Sequence, residues 1–277
     1  MDALLPPEMA EKAEAIGLSK INLPFVTTFV LAILAGAFVG LGAMAATTVL
    51  ASSSSLPYGV ARLLFGLAFC LGLILIVVAG AELFTGNNLI VMAWASRKIS
   101  TWALLRNWII VYSGNFFGSL GTAALVFLAK QYSFGNGSVG EAALKIAAAK
   151  INYGFVQAMA LGVLCNGLVC LAIWLTYSAR STTDKIVSII FPIAAFAAAS
   201  FEHSIANMYF IPYALFIKAF DPAFINSLAD KAPDLSKLTW GAFFLKNLLP
   251  VTLGNIIGGS GLVAIMFWFL YLRGKKN

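Results

Sequence analysis

Glu202 and His203 stand side by side in the run FPIAAFAAASFEHSIANMYFIPYALF, where nothing else is charged between Lys185 and Lys218. A carboxylate and an imidazole in an apolar stretch long enough to cross a bilayer would each cost several kcal/mol against lipid, so both must face protein or a water-filled path. A second carboxylate, Glu82, lies in Gly80-Ala81-Glu82-Leu83-Phe84-Thr85-Gly86-Asn87-Asn88, inside another apolar run. Such groups can exchange protons or meet an ion, which is transport chemistry. A remote alternative is an intramembrane hydrolase or receptor; a hydrolase needs a nucleophile or metal ligands near His203, and only Ser204 and Thr85 are candidates.

The elements that must carry these residues are membrane spans. The chain is 61% hydrophobic and 10% charged, with uncharged gaps at 21–61, 107–129, 151–179 and 247–272. Each exceeds the ~20 residues that a helix needs to cross the hydrocarbon. Two more gaps are interrupted only by Glu82 and by the Glu202/His203 pair. Six spans follow, roughly 25–50, 60–95, 104–129, 153–178, 186–217 and 246–272, giving an all-α membrane protein with one channel domain over 25–272. Residues 1–24 show no secretory signal, and LLPPEMAEKAEAIGLSK reads as an amphipathic helix on the membrane surface or at a pore mouth. Arg97, Lys98, Arg180, Lys185, Arg273, Lys275 and Lys276 fall on the side of the N-terminus, which predicts cytoplasmic termini and a cytoplasmic tail at 273–277 in an inner-membrane protein. The net charge of +7 is then topology. No basic stripe suggests nucleic acid, and no motif calls for a cofactor. Cys70, Cys165 and Cys170 lie in apolar spans and read as small core residues, not metal ligands.

The two halves match in order. Phe29-Val30-x-Ala32-x3-Gly36 recurs as Phe155-Val156-x-Ala158-x3-Gly162, and Glu82-x4-Asn87 as Glu202-x4-Asn207. Asn107-x3-Val111-x2-Gly114-Asn115-x2-Gly118 recurs as Asn247-x3-Val251-x2-Gly254-Asn255-x2-Gly258. Repeats of about 25–130 and 150–272 contain three spans each. An odd number forces the second copy to enter from the opposite side, an inverted repeat with its path at the repeat interface. The glycines also allow close helix approach.

Two Gly, two Asn and a Glu between Gly80 and Asn88 disfavour continuous helix and read as a loop that interrupts the span, the alternative being an ordinary helix with a packed glycine pair. The equivalent place in the fifth span, AAASFEHSIANM, is flanked by Pro192 and Pro212. Broken second and fifth spans at matched positions point to a site on the pseudo-symmetry axis. Glu82 and Glu202 are expected to accept backbone N–H groups of their own loops, with Asn87 and Asn207 as further structural residues of the breaks. A single histidine on an apolar face is usually a satisfied core residue; the position of His203 at a break favours a functional role over that alternative.

VVAGAELFTG at 77–86, GVLCNGLVCLA at 162–172 and FEHSIANM at 201–208 resemble three signatures of the formate/nitrite transporter family, with Gly167 where a bulkier apolar residue is usual. The resemblance covers nearly the whole chain. It implies an aquaporin-like fold and a homopentamer with one pore per protomer; aquaporins themselves are disfavoured because no Asn-Pro-Ala motif occurs. It implies that His203 is the central pore residue, Thr85 its hydrogen-bonding partner, Asn166 a polar pore residue and Lys150 the lysine beneath the vestibule. Phe69, Leu73, Leu83, Val169 and Phe196 match its apolar constrictions. From the residues alone, Lys150 is equally a loop lysine snorkelling to the interface.

A bare monovalent anion would lose hydration at apolar constrictions, a prohibitive term that its neutral conjugate acid avoids. Lost hydration favours neutral partners, so proton transfer from His203 to the anion becomes easier than in water. The reading is a formate channel or proton-coupled pathway, with nitrite or hydrosulfide as alternative anions and a neutral-solute channel of another family as the next transport alternative.

Overall fold

The computed structural model describes residues 3–51 and 53–274; Lys275 and Lys276 of the basic tail lie outside them. Every regular element among the described residues is helical. An amphipathic helix α1 (Pro6–Ile21) precedes α2 (Phe25–Leu50) and α3 (Tyr58–Ala79). The chain then leaves α-geometry, passes through a 3₁₀ turn (Gly86–Ile90) and ends the first break in the short α4 (Val91–Ala95). After α5 (Thr101–Leu128) come α6 (Ser138–Asn152), α7 (Phe155–Ser178), α8 (Thr182–Ala198), α9 (Ser204–Phe220), the short α10 (Pro222–Ser227) and a last span α11 (Trp240–Tyr271). Five of these, α2, α3, α5, α7 and α11, are long and apolar enough to cross a membrane. The remaining span is the pair α8 and α9, divided at 199–203. The protein is thus a multi-pass membrane protein whose second and fifth spans are broken.

The spans begin at prolines, which cannot extend a helix backward, or at side chains that accept free backbone N–H groups. Pro24 and Pro57 precede α2 and α3, Ser100 accepts from Ala103 N ahead of α5, and Ser181 and Asp184 form a reciprocal cap on α8. Thr239 caps α11 as Ser100 caps α5. Counting from these caps, Asn247 lies one residue further along than Asn107 does. The extra residue is absorbed by π-helix over Phe243–Leu248, which keeps both cap and asparagine in place.

The inverted repeat is visible in burial. From Phe25 to Gly42 each residue has the same degree of exposure as its counterpart from Phe155 to Ala172. Glu82 N donates to Leu31 O and Glu202 N to Leu161 O, which is the same register. The sequence match of Phe29 with Phe155 is therefore one helical turn out: Phe25 pairs with Phe155 and Val39 with Val169. The cause is degeneracy, since Phe-Val occurs both at 25 and at 29. The corrected register also pairs α1 with α6, and Lys20 with Lys150. Each repeat thus opens with a short amphipathic helix, α6 being one that the uneven polarity of 138–152 did not reveal. Met9, Ala10 and Ala13 of α1 pack against Leu89, Ile90 and Trp174 at one face of the molecule. That face is the α1 side below, and its opposite the α6 side.

Glycines bring the helices of each repeat together. A Cβ on Gly118 would overlap Ile33 O of α2, and one on Gly258 would overlap Val163 O of α7. Gly114 and Gly254 meet the same two helices one turn earlier. The duplicated Gly-Asn motif is therefore the seam between first and third spans of each repeat.

Candidate functional site

Both breaks are held by the same buried asparagine device. Asn115 Oδ1 accepts from Phe84 N at 2.9 Å, while its Nδ2 donates to Ala32 O at 2.7 Å and Glu82 O at 2.9 Å. Asn255 Oδ1 accepts from Ser204 N at 2.9 Å, and its Nδ2 donates to Gly162 O at 2.9 Å and Glu202 O at 3.0 Å. Unwound backbone at membrane depth needs internal partners, and a primary amide supplies both donor and acceptor from a rigid neighbouring helix.

The two carboxylates consequently do not take backbone N–H groups of their own loops. Glu82 accepts from Lys20 Nζ and Asn87 Nδ2, each at 2.7 Å, and Lys20 also donates to Asn87 Oδ1 at 2.9 Å. Glu202 accepts from Lys150 Nζ at 2.6 Å, Asn207 Nδ2 at 2.7 Å and Asn247 Nδ2 at 3.1 Å. Asn107 and Asn247 complete the two clusters by accepting from Asn87 and Asn207. The expectation of backbone partners fails: Phe84 N and Ser204 N go to Asn115 and Asn255, Glu82 N and Glu202 N go to Leu31 O and Leu161 O, and each carboxylate turns to the lysine of its repeat's amphipathic helix. Buried charge is tolerated here because each member is paired and hydrogen-bonded.

His203 is the residue before α9, and its Nδ1 accepts from Ala206 N at 3.1 Å. An acceptor Nδ1 carries no proton, so in the neutral ring the proton is on Nε2. Nε2 lies 3.0 Å from Thr85 Oγ1 of the other break, to which it therefore donates. The hydroxyl proton of Thr85 is left available to a third partner. This contact joins the two repeats; His203 is 4% exposed and Thr85 0%.

A cavity of about 690 Å³ runs from the α6 side down to His203. Lys150, Lys145, Lys231 and Arg62 line it with Glu141, Glu202 and Tyr153, and Phe65, Phe69, Phe196 and Phe210 supply aromatic wall. Phe69 meets Phe196 edge to face at 5.6 Å, and Phe196 stacks on the His203 ring at 5.9 Å. Lys150 Nζ lies 5.4 Å over Phe210. The lining suits a small anion: four cations against two carboxylates, aromatic walls and the ring of His203.

Of the residues singled out from sequence, His203, Lys150, Glu202, Phe69 and Phe196 line this cavity. Thr85 meets it through His203. Leu73, Leu83 and Val169 are buried in the central core cluster and stand outside the cavity wall. Asn166 also stands outside it: its Nδ2 donates to Asn255 O at 2.7 Å, across from Gly259 of the second π-helical stretch of α11. Sequence reasoning assigned no site role to Asn107, Asn115, Asn247, Asn255, Lys20 or Arg62. The four asparagines carried a signal, since each recurs at a matched position in a span where an unpaired amide is costly.

Residues 7–269 match the model of the formate/nitrite transporter family. The chain is 43% identical to the formate channel FocA of Escherichia coli over 98% of this chain and 96% of that protein. It is 38% identical to the formate channel FocA of Haemophilus influenzae, over 97% and 95%. Among solved structures it resembles a pentameric formate channel with formate bound, with a TM-score of 0.85, 44% identity, and coverage of 90% of this chain and 98% of that one. A second likeness, to an ion channel of the same family, has a TM-score of 0.79 at 28% identity, covering 95% and 98%. These relatives are named as channels, not enzymes, and the chain belongs to the formate/nitrite transporter family.

Proposed function

We propose that this protein is a homopentameric channel of the inner membrane that moves formate, each protomer carrying its own pore with proton exchange at His203. The observation that carries the reading is the Thr85–His203 contact at the foot of an aromatic-walled cavity with Lys150 above it. Lys150 attracts the anion, the phenylalanine walls strip its water, and the anion continues past the constriction as its neutral acid. Ala206 N–H sets a condition on the exchange. An imidazolium would turn an N–H donor toward that N–H donor, so a protonated His203 must give up its bond to α9. The charged state is thereby made transient, and the proton is passed on. The chemistry at Glu202 and Glu82 is structural, each carboxylate anchoring a break. Both termini are assigned to the cytoplasm, with the α6 side outward, from the Lys/Arg contrast.

Uptake of formate, nitrite and hydrosulfide into proteoliposomes, measured side by side, tests the substrate. Formate flux is expected to lead. Saturating nitrite or hydrosulfide flux with formate excluded would move the protein to another branch of its family. Thiol labelling at Ser227→Cys but not Gly274→Cys from outside intact cells is expected, and the reverse pattern would invert the topology.

A further inference from the structure

The two breaks begin with the same helix-ending turn, but only one of them is strained. Phe201 N donates to Phe196 O at 3.0 Å and Ser200 N to Ala197 O at 3.2 Å, as Ala81 N donates to Ile76 O at 2.9 Å at the end of α3. Such turns place one residue in the left-handed region, which glycine enters without steric conflict. In the first repeat it is Gly80, with φ of 72°; in the second it is Ser200, with φ of 59°. A side chain there carries strain that surrounding contacts must hold. The strained turn is the one that carries a clip. Arg62 of α3 donates Nη2 to Ala197 O at 2.6 Å and Nε to Ala198 O at 3.1 Å, the carbonyls just ahead of Ser200. Its guanidinium lies 4.5 Å over Phe65. In the register that pairs Gly80 with Ser200, the counterpart of Arg62 is the neutral Thr182.

We propose that Arg62 is the positioning residue of the second break: its two-pronged hold on α8 keeps Ser200 left-handed and so fixes where Glu202 and His203 stand. A planar fork spans two adjacent carbonyls, whereas an ammonium offers a single point of charge. Losing the fork lets the turn relax toward ordinary geometry, carrying Glu202 from Lys150 and His203 from Thr85. The flux consequence rests on the channel reading given above; the structural consequence does not.

The test uses full-length protein in proteoliposomes, reading amide hydrogen exchange over 199–207 and formate flux, with its pH profile, per assembled protein. Arg62→Ala is expected to speed exchange in this segment by about tenfold, lower flux several-fold and shift the pH profile. Adding Ser200→Gly to Arg62→Ala should bring exchange and flux back most of the way, because glycine holds the turn without a clip. Arg62→Lys should not restore either. If Arg62→Ala fails to assemble, Arg62→Gln is read in the same way, and recovery of assembly by Ser200→Gly supports the proposal. Exchange unchanged in Arg62→Ala overturns it. So does recovery by Arg62→Lys without any by Ser200→Gly, which would make Arg62 a vestibule charge that attracts anions. A wild-type protein that carries no formate would defeat the channel reading, yet the exchange measurement would still decide the role of Arg62.

Discussion

Leu83 and His203 occupy the same place in two copies of one structural break. Each is followed by a backbone N–H that donates to a buried asparagine, Phe84 to Asn115 and Ser204 to Asn255. Each is preceded by a glutamate whose carbonyl accepts from that same asparagine. Duplication therefore supplied two equivalent positions at the centre of the protein, one filled by an isobutyl group and the other by the only imidazole in the chain. Thr85, two residues beyond Leu83, is the polar atom that the first break offers across to the second. The backbone frame is nearly symmetric, and its chemistry is one-sided.

Asn255 should be among the least replaceable residues away from the cavity. Asn255→Leu keeps the branched shape but leaves Ser204 N and Glu202 O unpaired where water is excluded, at about 1–3 kcal/mol for each group, and takes from Gly162 O the bond it receives beyond its helical one. A clear drop in the thermal midpoint of the assembled protein in detergent is expected. A midpoint unchanged from wild type would mean that those groups find other partners.

Glycine spacing gives a contrast within one helix. Gly118→Ala drives a methyl group into Ile33 O, a backbone atom that cannot swing aside, whereas nothing lies within 4 Å of a Cβ on Gly121. Overpacking of this kind costs about 1–3 kcal/mol or more. Gly118→Ala is expected to reduce the yield of assembled protein on size-exclusion chromatography, and Gly121→Ala to leave it intact. Equal yields would show that α2 and α5 can separate without consequence.

Outside the membrane, Asp221 predicts an acid-side effect. Tyr132 Oη donates to its carboxylate at 2.7 Å and Phe224 N at 2.9 Å, and these bonds, Tyr132 first, hold it below the usual carboxylate range. A lowered folded-state value stabilises the protein above the ordinary carboxylate value of ~4, and that stabilisation is lost as pH falls through the folded-state value. The gap in melting midpoint between wild type and Tyr132→Phe should therefore be flat through neutral pH and narrow below about 4. A gap that stays constant into acid would detach Asp221 from stability.

The legible parts of the sequence were those where membrane physics makes a residue expensive. Glu82, Glu202 and His203 stood out because ionisable groups are rare at that depth, and Gly80 to Asn88 because nothing else breaks an apolar run so abruptly. What stayed hidden depends on long-range partners or on cheap residue types. Lys20 looked like surface charge on an N-terminal helix until its fold partner Glu82 was in view. Phe, Val and Ala repeat too freely in apolar helices to fix register, which let the first and fourth spans slip by a turn. The π-helical residue in α11 has no composition signature. Asn166 was assigned to the pore through family resemblance, yet its amide is engaged by Asn255 O. Arg62 shows its meaning only beside the carbonyls of another helix.

The central claim is that His203 exchanges protons with the permeating anion and does not merely brace the two breaks. His203→Asn retains a side-chain donor and acceptor near Thr85 and Ala206 but cannot titrate. In proteoliposomes containing a pH-sensitive dye, wild-type protein should couple formate entry to proton movement. His203→Asn, at equal assembly, should show a sharp fall in both formate uptake and the accompanying pH change. Formate uptake and proton movement both unchanged in His203→Asn would contradict the account and leave His203 a structural residue.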